Sequence, residues 1–149
     1  IQYAEGQKYA PHMDTHAETT DETPGGQRLV TCLLYLNDVE EGGTTDFVKL
    51  GLSVAAKAGR LLCFHNCSPG TNVPDPRTLH TGSAVVAGEK WAVNKWLWSR
   101  SMADYNWPGR AAAWPTDTEA GEAGPTESAE PPAQRRRKRL SSREIWILS

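Results

Sequence analysis

Arg28-Leu29-Val30-Thr31-Cys32-Leu33-Leu34-Tyr35-Leu36 is an apolar run that carries β-branched and aromatic side chains and stops at Asn37-Asp38, so it reads as a buried strand. It is far too short to cross a bilayer. On either side the pattern repeats. Short apolar stretches at 1–4, 9–14, 44–48, 53–56, 60–65, 83–86 and 90–98 are separated by Thr23-Pro24-Gly25-Gly26, Glu41-Gly42-Gly43, Lys57-Ala58-Gly59, Ser68-Pro69-Gly70 and Ala87-Gly88-Glu89. Eight strands at this spacing predict an all-β domain, either a barrel or a two-sheet jelly roll whose inner face can hold a small ligand.

The rhythm ends near Asp104. Residues 1–104 hold 9 basic and 12 acidic side chains, net −3; residues 105–149 hold 7 and 6, net +1, which together give the −2 of the chain. After the break come half of the ten prolines, an Ala/Glu/Gly/Pro/Thr stretch, and the run Arg135-Arg136-Arg137-Lys138-Arg139. The reading is a domain over 1–104 and a low-complexity, disordered tail over 105–149. The basic run is most simply a solvated tail, with a nuclear-localisation, processing or polyanion-contact segment as the alternative, and Ile145-Trp146-Ile147-Leu148 either sticks to something or lies outside the folded unit. A mildly acidic main domain argues against a nucleic-acid groove. No segment is apolar enough to span a membrane, and Ile1-Gln2-Tyr3-Ala4-Glu5 lacks the layout of a signal peptide. Because the chain opens on Ile rather than Met, its compartment is unread. Cys32, Cys63 and Cys67 are too few for a disulfide framework or a four-thiolate zinc site; one bridge remains open to them.

His12-Met13-Asp14 carries the first chemistry. Residues two apart on a strand share a face, so an imidazole and a carboxylate can reach one ion together. His80 is the natural third ligand, completing two histidines and one carboxylate on one face of an octahedral ion, a set suited to Fe(II) with positions open for a 2-oxo acid and dioxygen. Alone, His-x-Asp reads more simply as a surface histidine beside a turn aspartate. Lys90 opens the strand Lys90-Trp91-Ala92-Val93-Asn94-Lys95-Trp96, where a buried ammonium needs a carboxylate partner such as a substrate diacid, unless the side chain snorkels to solvent.

Five segments taken in order, Tyr3 with Gly6–Asp14, Arg28–Asn37, Glu41-Gly42-Gly43-Thr44-Thr45-Asp46-Phe47, His80-Thr81-Gly82 and Gly88–Trp96, resemble the catalytic domain of prolyl 4-hydroxylases, within the Fe(II)- and 2-oxoglutarate-dependent dioxygenases. The resemblance spans about residues 1–100. It implies a double-stranded β-helix in which His12, Asp14 and His80 ligate iron. It also implies that Lys90 pairs with the distal carboxylate of 2-oxoglutarate near the hydroxyls of Tyr3 and Thr45, and that Tyr9 and Arg28 face a proline-containing peptide or protein. Asn94 and Trp96 share the face of Lys90 and read as structural. The activity implied is hydroxylation by dioxygen with release of succinate and carbon dioxide, ascorbate-dependent by analogy, with the endoplasmic reticulum as the compartment the family suggests. The alternatives are a hydroxylase of a free amino acid or other small molecule and a non-catalytic jelly-roll binding module or inactive fragment. Family members carry elements before the Tyr3 segment that support the major sheet, so an exposed edge and uncovered apolar surface are expected here. The Pro- and Gly-rich stretch 66–77 differs from the collagen-modifying form and shapes the substrate entrance. His16 reads as a loop histidine, His65 as a strand-end residue, and Cys63 and Cys67 as unpaired thiols.

Overall fold

The computed structural model describes residues 1–19, 23–102, 138–139 and 145–148. Among the described residues of the first hundred there are ten strands: β1 (Gln2–Tyr3), β2 (Tyr9–His12), β3 (Arg28–Tyr35), β4 (Glu41–Gly42), β5 (Thr45–Phe47), β6 (Leu52–Val54), β7 (Leu61–His65), β8 (His80–Gly82), β9 (Val85–Ala87) and β10 (Lys90–Trp98). Two more, β11 (Lys138–Arg139) and β12 (Ile145–Leu148), follow. They form a six-stranded sheet in the order β1-β10-β3-β7-β12-β11, a four-stranded sheet β2-β8-β5-β6 and a two-stranded ribbon β4-β9, with every pairing antiparallel. This is the double-stranded β-helix, or jelly roll.

Alternation along the strands builds the core. Thr31, Leu33 and Tyr35 on β3, Leu62 and Phe64 on β7, and Lys90 and Ala92 on β10 are buried, while the residues between them face outward. Leu33, Tyr35, Leu62, Phe64 and Ala92 meet Phe47 of β5 and Val54 of β6 from the opposite sheet. Phe47 and Phe64 pack edge to face at 5.0 Å between ring centroids. On the outer face of the six-stranded sheet Leu34, Trp91, Val93 and Leu97 are exposed, an apolar surface of the kind expected there.

The structure departs from the sequence reading in several places. Ile145–Leu148 is part of the folded unit, since β12 pairs with β7 over Ile145↔Phe64 to Leu148↔Leu61, and Ile145, 2% exposed, lies in the core. The rest of the expected tail, apart from 138–139, lies outside the described residues. His80–Gly82, which is not among the stretches read as strands, is a strand between β2 and β5. Glu41–Gly42, read as a break, is a short strand whose glycine is obligatory: Gly42 has φ 76°, and a Cβ there would lie 2.3 Å from the Ala84 carbonyl oxygen. That tight pairing delivers the chain into β5 with Thr45 facing inward.

Candidate active site

His12 and His80 are register partners across β2 and β8, with ring centroids 4.3 Å apart. Asp14 is not on the strand that the sequence pattern suggested; β2 ends at His12 and the aspartate sits in the bend beyond it. What fixes its carboxylate comes from the other sheet. The Thr31 hydroxyl of β3 donates to Asp14 Oδ2 at 2.6 Å, and the Trp96 indole N–H of β10 lies 3.4 Å from the same oxygen. The second oxygen, Oδ1, faces the histidines, 3.3 Å from His12 Nε2 and 3.9 Å from His80 Nε2.

This is a donor set arranged for a cation. The ligand atoms of His12, Asp14 and His80 all lie within 4.8 Å of one another. Each imidazole has Nδ1 2.9 Å from a backbone carbonyl, that of Ala10 for His12 and that of Thr78 for His80, which puts a proton on Nδ1 and turns both Nε2 atoms inward. Burial pushes the Asp14 carboxyl up, but the contact with His12, the Thr31 hydroxyl and the nearby imidazoles outweigh it and hold the group at about 2. Asp14 is therefore a carboxylate at neutral pH. Burial also lowers the His80 pKa, keeping that imidazole neutral and free to donate its lone pair.

The triad opens on a cavity of about 350 Å³ that reaches Tyr3, Thr45 and Lys90 at the other end. Lys90 does not snorkel. It is 3% exposed, its Nζ lies 5.8 Å from the Tyr3 ring centroid and 5.5 Å from that of Tyr35, and no carboxylate of the described residues forms an ion pair with it. Burial, only partly countered by Asp46, pushes its ammonium down to about 8. Beside it the Tyr35 phenol donates to Thr45 Oγ1 at 2.8 Å. With that acceptor site filled, the Thr45 hydroxyl hydrogen is free to turn toward an anion. At the cavity mouth Tyr9, 51% exposed, packs against His12 with the rings tilted and their centroids 3.9 Å apart, and the Arg28 guanidinium lies 4.0 Å above the Trp96 ring. Asn94 and Trp96 line the same cavity, as their spacing from Lys90 predicted.

All eight residues singled out from the sequence thus line one cavity. His16 and His65 stand apart, near Trp98 and Trp146 respectively. A larger cavity of about 650 Å³, lined in part by Gln27, His65, Cys67 and Arg100, holds none of the triad. Sequence reasoning missed Thr31, Tyr35 and Asn66. Asn66 is fully buried, and its Nδ2 donates to Thr31 Oγ1 at 2.9 Å, so it backs the hydroxyl that holds Asp14. Their only sequence signal is a polar group at an inward position of an otherwise apolar strand or strand end.

Residues 1–98 match the 2OG-Fe(II) oxygenase superfamily. The chain belongs to that superfamily. Among curated members it is similar to the probable prolyl 4-hydroxylase 10 of Arabidopsis thaliana, 40% identical over 116 residues, covering 65% of this chain and 40% of the relative. Prolyl 4-hydroxylase 5 of the same plant is 38% identical with the same coverage. Among solved structures, the viral collagen prolyl hydroxylase vCPH from Paramecium Bursaria Chlorella virus-1, as its 2OG complex, is 38% identical with a TM-score of 0.57, over 64% of this chain and 54% of that one. The chain spans about two fifths of the length of the curated relatives it matches. Iron and 2-oxoglutarate, which the superfamily name implies, fit the residues present: two imidazoles and a carboxylate converge at one end of the cavity, and a buried ammonium with no ion-pair partner among the described residues stands at the other.

Proposed function

We propose that this oxygenase hydroxylates prolyl residues of a peptide or protein, using dioxygen and 2-oxoglutarate. His12 and His80 through Nε2, and Asp14 through its carboxylate, would hold Fe(II). Bound there with 2-oxoglutarate and dioxygen, the metal supplies an oxidative decarboxylation that yields succinate and carbon dioxide and leaves one oxygen atom on the substrate carbon. The protein's own work is positioning. Lys90 neutralises the distal carboxylate of the cosubstrate, the Thr45 hydroxyl donates to it while Tyr35 occupies the Thr45 acceptor site, and the Tyr3 ring keeps water from the ammonium. Tyr9 and Arg28 flank the entrance, where the exposed phenol ring beside His12 favours an extended peptide over a small enclosed substrate. Ascorbate belongs to this reading by family analogy. The unit that carries it is the domain expected over 1–104, with 145–148 added.

One observation carries the reading. A buried, unpaired ammonium is costly, and here it shares a cavity with a metal-ligand triad, so an anion that bridges the two ends relieves the cost. The test incubates the chain with Fe(II), 2-oxoglutarate and either a proline-rich peptide or free proline, and reads succinate together with the mass of the acceptor. Succinate coupled to addition of one oxygen atom to the peptide is expected. Oxygen on free proline alone would move the reading to a small-molecule hydroxylase, and a cooperatively melting chain that makes no succinate would make it a binding module.

A further inference from the structure

Cys32 of β3 and Cys63 of β7 face each other across the six-stranded sheet. The pairing between these strands is fixed on both sides, since Asn66 N–H donates to the Leu29 carbonyl and Tyr35 N–H to the Arg60 carbonyl. Counting inward by twos, the pairs Thr31↔Phe64 and Leu33↔Leu62 carry the interstrand hydrogen bonds. Cys32↔Cys63 falls at the position between them, where an antiparallel pair brings its side chains closest. The two Sγ atoms are 3.1 Å apart. A disulfide needs about 2.05 Å, so about 1 Å of approach completes the bond. Both thiols are half-buried on the outer face, away from the metal-ligand triad, with Lys95 of β10 as the register partner of Cys32 and Trp146 of β12 as that of Cys63.

We propose that Cys32 and Cys63 form a dithiol–disulfide site that is oxidised by exchange with a small anionic disulfide of the glutathione class. The Cys32 thiol, register partner of Lys95 on the outer face, gives its proton to solvent and attacks one sulfur of the oxidant; a mixed disulfide forms and one glutathione leaves as its thiolate. Cys63 then gives its proton to solvent and attacks the Cys32 sulfur, which forms the cross-strand bond and releases the second glutathione. Two cysteines are oxidised by two electrons and one small disulfide is reduced to two thiols. Burial and the adjacent Cys32 push the Cys63 thiol up to about 12, which suits it to the second step, where the sulfur it attacks already lies beside it, rather than to the first. Cys67 takes no part, being buried with its Sγ against the Arg28 carbonyl. The bond ties together the two strands whose inner faces carry Thr31 and Phe64, one holding Asp14 and the other packed on His80.

The test uses the reduced full chain with oxidised glutathione and a metal chelator, followed by alkylation, trypsin and mass spectrometry. Peptide 29–49 should appear joined to peptide 61–77, with fragmentation placing the link on Cys63 and the alkyl group on Cys67. The oxidised chain should unfold at a higher denaturant concentration than the reduced one. In Cys63→Ser the first step should proceed and stop, leaving Cys32 with a glutathionyl group that the parent chain sheds. Persistent glutathionylation of Cys32 in the parent chain, a Cys32–Cys67 link, or three free thiols after exposure to excess oxidant would each overturn the proposal.

Discussion

Thr31 of one sheet donates its hydroxyl hydrogen to Asp14 at the end of the other, at 2.6 Å, and thereby places the carboxylate that the bend after β2 would leave free to rotate. Behind it stands Asn66, fully buried. Thr31→Val keeps the shape and removes the donor. Groups that orient metal ligands typically contribute 10–100-fold in affinity, so Fe(II) or Co(II) binding to the Val variant should weaken by about that factor. Calorimetric titration of the metal checks it. An unchanged affinity would show that Trp96 and the histidines suffice to orient Asp14.

Lys90→Ala leaves the distal carboxylate of 2-oxoglutarate without its counter-charge, a loss of about 3–5 kcal/mol. The 2-oxoglutarate requirement should rise by at least about two orders of magnitude, since each 1.4 kcal/mol is roughly tenfold, while metal binding is retained. Lys90→Arg should recover part of the loss. Titrating succinate release against 2-oxoglutarate in all three proteins decides the matter, and an unchanged half-saturation in the Ala variant would remove Lys90 from the site.

Without ligand, the same lysine is a liability to the fold. Its pKa falls from 10.5 to about 8 on burial, so between those values the unfolded chain binds the proton that the folded chain has shed, and stability gains as pH rises through that window. Below about pH 8 the cost of burying the ammonium is fully present. Lys90→Met should therefore stabilise the ligand-free chain by about 1–3 kcal/mol near neutral pH, with the advantage fading by about pH 10.5. Denaturant melts at both ends of the window measure this. A Met variant no more stable than the parent near neutrality would mean that the ammonium is solvated after all.

Ile145 packs into the core from a strand 81 residues away in sequence from its register partner Phe64. Ile145→Ala should cost about 2–4 kcal/mol, the range for truncating a buried aliphatic side chain. Thermal unfolding of the two proteins gives the comparison. A midpoint shift of less than a degree would place β12 outside the cooperative unit.

His12, Asp14, His80 and Lys90 were legible because each is a charged or metal-ligating residue within a domain of short apolar strands, where burial without a partner is expensive enough to demand a function. Tyr3, Thr45, Tyr9 and Arg28 were reached through resemblance, since a hydroxyl or an arginine on a strand has many ordinary explanations. Thr31, Tyr35 and Asn66 were not read at all. Nothing local distinguishes a threonine that anchors a carboxylate from one chosen for its β-branched backbone preference; the difference is made by Asp14, seventeen residues away. β8 was invisible for another reason: His80-Thr81-Gly82 has neither length nor apolar alternation, and its pairing between β2 and β5 makes it a strand. The misreading of Ile145–Leu148 followed from the low-complexity stretch before it, which hides a segment whose partner lies far upstream.

That late strand bears on how the molecule comes into being. While the chain is being synthesised, β7 emerges with Phe64 and Leu62 in place but with one of its two edges unpaired, and it stays so until residues up to Leu148 have left the ribosome. An open apolar edge is a template for the wrong neighbour, most readily another nascent copy presenting the same edge. The interval is set by translation speed through the Pro- and Gly-rich stretch in between, so codon usage there and chaperone supply, which never touch the cavity, should govern how much of the chain reaches a form able to hold metal.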